Sequence, residues 1–127
     1  MTEEPADAAL ARAAELFNDA RYHESHEVLD ELWEATSGRD ADFLKGLIQA
    51  AIALHHYSQG NADGARKLYS GHRQYLGPYL PRYRGLDVAD FLAQMQACLA
   101  GVLRARPGAE PAFDPARRPR LEFRSSE

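Results

Sequence analysis

The stretch FLKGLIQAAIAL, residues 43–54, constrains this chain more than any other. Apolar side chains recur on nearly every face of a helix built from it. Such a helix is covered on several sides and sits at the centre of its fold. It is also interrupted by Lys45 and Gln49 and is too short to span a bilayer. Gly46 costs about 1 kcal/mol against alanine in mid-helix, which predicts close approach by a second helix. The remaining elements must therefore wrap one central helix.

Helical spacing recurs on both sides of it, and no strand-like alternation stands out. A first helix is expected over 6–19, with Leu10, Ala13, Ala14 and Phe17 inward. A second, over 22–36, carries Tyr22, Ser25, Val28, Leu29, Leu32 and Trp33 on one stripe and stops at Ser37-Gly38. The central helix spans 41–59, with Asp40 as its expected N-cap. Gly60 ends it and Asn61 caps a fourth helix over 62–77, with Ala65, Leu68, Tyr69, Tyr75 and Leu76 inward. In GLDVADF, Asp87 caps a fifth helix that fades near Arg104, and Leu86 and Phe91 take the two positions of a hydrophobic staple. The expected fold class is all-α: one compact bundle of about five helices over 1–106, followed by an extended tail over 107–127. That tail carries four prolines, with Leu121 and Phe123 docking on the body and a disordered tip.

An internal echo supports two helical hairpins. ELFNDARYHESHEVL and LHHYSQGNADGARKL align some forty residues apart, matching Phe17 with Tyr57, Ala20 with Gly60 and Val28 with Leu68. The pattern is similar to a tetratricopeptide helix-turn-helix, though two copies at this period make a bundle rather than a solenoid.

Composition narrows the class. One cysteine, Cys98, excludes an internal disulfide and a cysteine-based zinc site, and its position reads as core. MTEEPADAAL is acidic and lacks the apolar run of a signal peptide, so a soluble cytoplasmic protein is the expectation. Residues 1–42 hold twelve carboxylates against three arginines, and the basic excess lies mostly in PARRPRLEFR. An acidic first third does not attract phosphate backbones, so no nucleic-acid partner and no membrane partner are expected.

RYHESHEVLDELWEATSG, residues 21–38, gathers two histidines, five carboxylates and the sole tryptophan. His26 and Asp30 stand i,i+4 at the edge of the apolar stripe, beside Trp33 and Glu27. On the central helix Lys45, Gln49, Ile52 and His56 recur at the same interval. A short connection makes the two helices antiparallel neighbours. A buried Gln49 amide needs a partner, and His26, Asp30 or the Trp33 indole could serve. The candidate ligand-binding residues are therefore His26, Glu27, Asp30, Trp33, Gln49 and His56. Three of them, His26, Asp30 and His56, could hold a divalent metal with an open position. HESHE is not the H-E-x-x-H of zinc proteases, and a ferritin-like di-iron site lacks its carboxylates on the third helix. His23 and His55 read as exposed or boundary residues, and His72 as a solvated or packing one. Two functions follow as expectations. One is a binding module for a small ligand or protein partner, with Tyr-rich 75–83 as a candidate homodimer surface. The other is a metal-dependent or acid–base enzyme of hydrolase type on His26, Asp30 and His56.

FNDARYHESHEVLDELW, FLKGLIQAAIALHH, GNADGA and GLDV together resemble the small bacterial family called domain of unknown function 309. That family's pattern runs F-N-x-G-x-[YF]-[FY]-E-x-H-E-x-x-E-x-x-W, then F-L-Q-G-L-I-Q, then a histidine near G-N-x-x-G-A. Its motif residues fall on Phe17, Asn18, Tyr22, Glu24, His26, Glu27, Trp33, Gly46, Gln49, His56, Gly60, Asn61, Gly64 and Ala65. Four positions depart: Ala20 for the turn glycine, His23, Asp30 for glutamate, and Lys45 for glutamine, which turns that end of the helix toward solvent. The resemblance implies an all-helical fold, a shared polar seam at His26, Trp33 and Gln49, and no established activity.

Overall fold

The computed structural model describes residues 4–124. Five helices follow in order: α1 (Glu4–Asn18), α2 (Tyr22–Glu34), α3 (Arg39–Ser58), α4 (Ala62–Leu76) and α5 (Val88–Arg104). The fold is all-α apart from a two-stranded ribbon, β1 (Arg82–Tyr83) with β2 (Leu86–Asp87), and two short 3-10 turns. α3 is central: α2 packs on one side of it and α4 on the other, while α1 lies against α2. Its residues Phe43, Leu44, Leu47, Ile48, Ala50, Ala51, Ala53 and Leu54 are all buried. The near-continuous apolar run thus finds cover on several sides, as its sequence demands.

Gly46 lies against the end of α4. A methyl there would stand 2.6 Å from Leu76 Cγ and 3.2 Å from Tyr75 Cβ. The inward residues expected for α1 are buried, as are Val88, Phe91, Met95 and Leu99 of α5. Asp87 caps α5 by accepting from the Asp90 amide at 2.9 Å, and Asn61 caps α4 by accepting from Gly64 at 3.0 Å.

Three local readings change. Asp40 does not cap α3. The cap position belongs to Gly38, whose φ of 78° turns the chain into the helix, and the Asp40 carboxylate instead accepts from Tyr83 Oη and from Arg84 at 2.9 Å. α2 ends at Glu34, earlier than the Ser37-Gly38 stop, with the Thr36 hydroxyl bonded back to Leu32 O at 2.6 Å. The segment after α4 forms a ribbon because Arg84 and Gly85 both take left-handed φ, 50° and 85°, as a tight hairpin turn requires. Tyr79, at the end of the 3-10 turn after α4, and Tyr83, in the ribbon, lay their rings on Phe43 at 5.4 and 4.9 Å. Of the tyrosines on the candidate homodimer surface, Tyr79 is thus buried and Tyr83 half-buried.

The tail belongs to the body along most of its described length. Leu121 is buried, and Asn18 grips its backbone twice, donating to its carbonyl at 3.0 Å and accepting from its amide at 2.8 Å. Phe123 bridges to Leu86, and Phe113 packs edge-on against Tyr57 and Tyr22. The expected disordered tip, residues 125–127, lies outside the described residues.

Candidate functional site

Two half-buried stripes run side by side on the open face of the α2–α3 pair. α2 contributes His26, Asp30 and Trp33; α3 contributes Lys45, Gln49, Ile52 and His56. The helices are antiparallel, and ring contacts mark both ends of the seam. At one end Lys45 Nζ sits 4.3 Å above the centre of the Trp33 ring. At the other, His23 and His55 rings lie 5.3 Å apart. Lys45 is thus held against the tryptophan face by a cation–π contact rather than directed to solvent.

The polar groups along the seam have separate partners. His26 Nδ1 lies 2.9 Å from the His23 carbonyl of its own helix. A carbonyl can only accept, so that nitrogen carries the proton and Nε2 holds the free lone pair. Glu27 is exposed, with Oε2 3.5 Å from His23 Nε2. Asp30 is half-buried and makes no hydrogen bond or ion pair among the described residues. Gln49 does not meet His26: its amide turns to the opposite side, toward α4. A methyl on Gly71 would fall 1.8 Å from Gln49 Oε1, so the glycine makes room for the amide group. His56 also belongs to the α4 side. Its Nδ1 is 3.1 Å from Asn61 Nδ2, and since Asn61 Oδ1 already serves as the helix cap, the amide donates and His56 Nδ1 accepts.

The six predicted residues therefore split. His26, Glu27, Asp30 and Trp33 share α2; Gln49 and His56 sit across the seam but face glycines of α4. Among the described residues no three His, Cys, Asp or Glu side chains are placed, as they stand, to hold a metal ion. For His26, Asp30 and His56 there is a further obstacle, because the lone pair of His56 Nδ1 is taken by Asn61.

Sequence reasoning missed the pairing of His23 with His55, which it read as separate boundary residues. Four histidine rings form a run: His26 to His23 at 5.2 Å, His23 to His55 at 5.3 Å, and His55 to His56 at 6.2 Å. The signal was available, since antiparallel pairing brings the first turn of one helix beside the last turn of the other. Partial burial first, then the neighbouring imidazoles, lowers the His55 pKa below the usual histidine value.

Cys98 is buried and its pKa is pushed up to about 11, mainly by burial, which holds it as a thiol. His72 is fully buried, donates from Nδ1 to Tyr69 O and has no partner on Nε2 among the described residues; burial pushes its pKa down to about 4. A cleft of about 100 Å³ beside α5 is polar, but two of its arginines are occupied, Arg82 by Asp87 and Arg120 by Glu122.

No helix among the described residues is long and apolar enough to cross a membrane. Residues 10–68 match the family model described as a domain of unknown function, DUF309. An uncharacterized protein of Aquifex aeolicus (strain VF5) is 26% identical over 98 residues, which is 71% of this chain and 29% of that protein. The chain thus spans under a third of that relative's length.

Proposed function

From a chain whose residues 10–68 belong to the DUF309 family, we propose a binding module whose site is the seam between α2 and α3. One observation carries this reading. A half-buried tryptophan, a half-buried isoleucine and a half-buried carboxylate without a partner among the described residues, Trp33, Ile52 and Asp30, line two adjoining stripes that stay partly open to solvent. Large half-exposed aromatic and aliphatic groups beside a free polar group are what a ligand-recognition surface needs. The buried, unpaired thiol of Cys98 suits a reducing compartment, so we place the module in the cytoplasm. A protein or peptide partner fits these half-exposed side chains better than a small molecule that needs an enclosing cavity. The partnered state of His56 and the distance of the Gln49 amide from His26 favour recognition over acid–base chemistry.

Trp33, the only tryptophan, reports on the site directly. Peptides selected from a displayed random library on the folded chain are expected to shift Trp33 emission. Ile52→Asp and Asp30→Ala should weaken their binding at least tenfold without changing the melting temperature by more than a few degrees. Selected peptides that bind equally well to both variants, with Trp33 emission unmoved, would overturn the reading.

A further inference from the structure

We propose that His23 and His55, completed by His26 and Glu27, form a site for a divalent first-row transition ion at the end of the α2–α3 hairpin. The argument begins with spacing. Two imidazoles on one tetrahedral ion have centres about 5 Å apart, given metal–nitrogen bonds of about 2.0 Å. His23 stands 5.2 Å from His26 and 5.3 Å from His55, so the central ring has two neighbours at that separation. Glu27 already reaches His23 Nε2 at 3.5 Å and brings a carboxylate oxygen to the same place. Three nitrogens and one oxygen make a donor set suited to zinc, nickel or copper.

Proton placement favours the same group. The His26 Nδ1 proton is held by a backbone carbonyl, which leaves Nε2 as the free donor, a common arrangement for a metal-binding histidine. The next ring in the run, His56, is excluded by its bond to Asn61. As they stand the donors do not converge on one point, so the ion must turn the rings. The side chains of His23 and Glu27 are 58% and 61% exposed, which leaves them free to rotate without moving backbone. The site would tie the start of α2 to the end of α3, and it is independent of the peptide-binding reading because the Trp33 end of the seam takes no part.

The untagged full chain, titrated calorimetrically with Zn²⁺ and with Ni²⁺ at pH 7.5, should take up one ion per molecule. Its melting temperature should rise with ion concentration, as binding to the folded state alone requires. His23→Gln and His55→Gln should each weaken uptake at least tenfold, and His26→Gln and Glu27→Gln should weaken it less. His56→Gln and Asp30→Asn should leave it unchanged. All six side chains are at least partly exposed, and the melting temperature of each variant without metal checks its fold. Absence of saturable uptake would overturn the proposal. So would uptake that survives His55→Gln, or that falls as much in His56→Gln as in His55→Gln.

Discussion

The two helical hairpins, α1–α2 and α3–α4, close on the same turn forty residues apart. In the first, the Arg21 amide bonds to Leu16 O at 2.8 Å and Ala20 to Phe17 O at 3.0 Å. In the second, Asn61 bonds to His56 O at 2.8 Å and Gly60 to Tyr57 O at 3.1 Å. Phe17 and Tyr57 are buried under their turns, and Val28 and Leu68 are half-buried at equivalent places. The hairpins differ in what sits on this common frame. The first buries a small hydroxyl on α2, Ser25, which donates to Ala13 O at 2.8 Å, and keeps the histidine and carboxylate side chains of α2 at least partly exposed. The second buries an imidazole and admits a glutamine through its glycines. A shared backbone therefore does not fix where polar groups go; residue size at the helix contact does.

The largest expected difference lies at one equivalent pair, Leu32 in the first hairpin and His72 in the second. Folded His72 takes a proton only near pH 4, because burial opposes its charge, whereas an unfolded imidazole takes one near 6.5. Between those values the unfolded chain binds more protons, so stability falls as pH falls. The contribution is fully present above pH 6.5 and is lost by about pH 4, a change of roughly 3 kcal/mol. His72→Leu, which copies the first hairpin, should flatten that limb in denaturant melts taken from pH 7 to pH 4. An unchanged slope would mean that His72 titrates as an ordinary histidine and that the core around α4 is open.

Much of this frame can be read from the chain, because helical period, glycine position and capping residues are local signals. The all-round apolar run announced α3 as central, Gly46 announced the approach of α4, and Asn61 and Asp87 announced two caps. What could not be read is where long polar side chains turn. Gln49 needed a partner, and helical spacing pointed to α2, at His26, Asp30 or Trp33, whereas the amide turns to α4. Gly71 decides it, since only the absence of a side chain there lets the amide reach α4. Asp40 likewise had the chemistry of a cap but was drawn away by Tyr83 and Arg84, more than forty residues on. Spacing put His26, Asp30 and Trp33 on one stripe correctly, while the meeting of His23 with His55 depends on how two helix ends align.

Capping gives the next contrast. Arg21 precedes α2 with no side-chain cap, whereas Asn61 at the matching position bonds the Gly64 amide. Loss of such a cap costs about 1 kcal/mol. Asn61→Ala should lower the denaturation midpoint accordingly. It should also release His56 Nδ1, which the ring-nitrogen chemical shifts of His56 would register. If the His56 signal does not move, the Asn61 amide does not fix that ring.

The smallest effect is expected at the turns themselves, and there the two hairpins should respond with opposite sign. Gly60 has a φ of 79° with nothing within 4 Å of where a methyl would sit, so Gly60→Ala meets no neighbour. Its cost is conformational alone, about 1 kcal/mol for placing an L side chain in the left-handed region. Ala20 already bears that cost at a φ of 62°. Ala20→Gly removes it, but glycine also gains freedom in the unfolded chain, and a methyl packed against the core is lost. These terms oppose one another and leave a gain of about 0.5 kcal/mol or less. Paired urea melts of the two variants test the sign. Should Ala20→Gly destabilise as much as Gly60→Ala, the Ala20 methyl matters more for packing than its backbone angle does for strain, and the two turns are equivalent in geometry only.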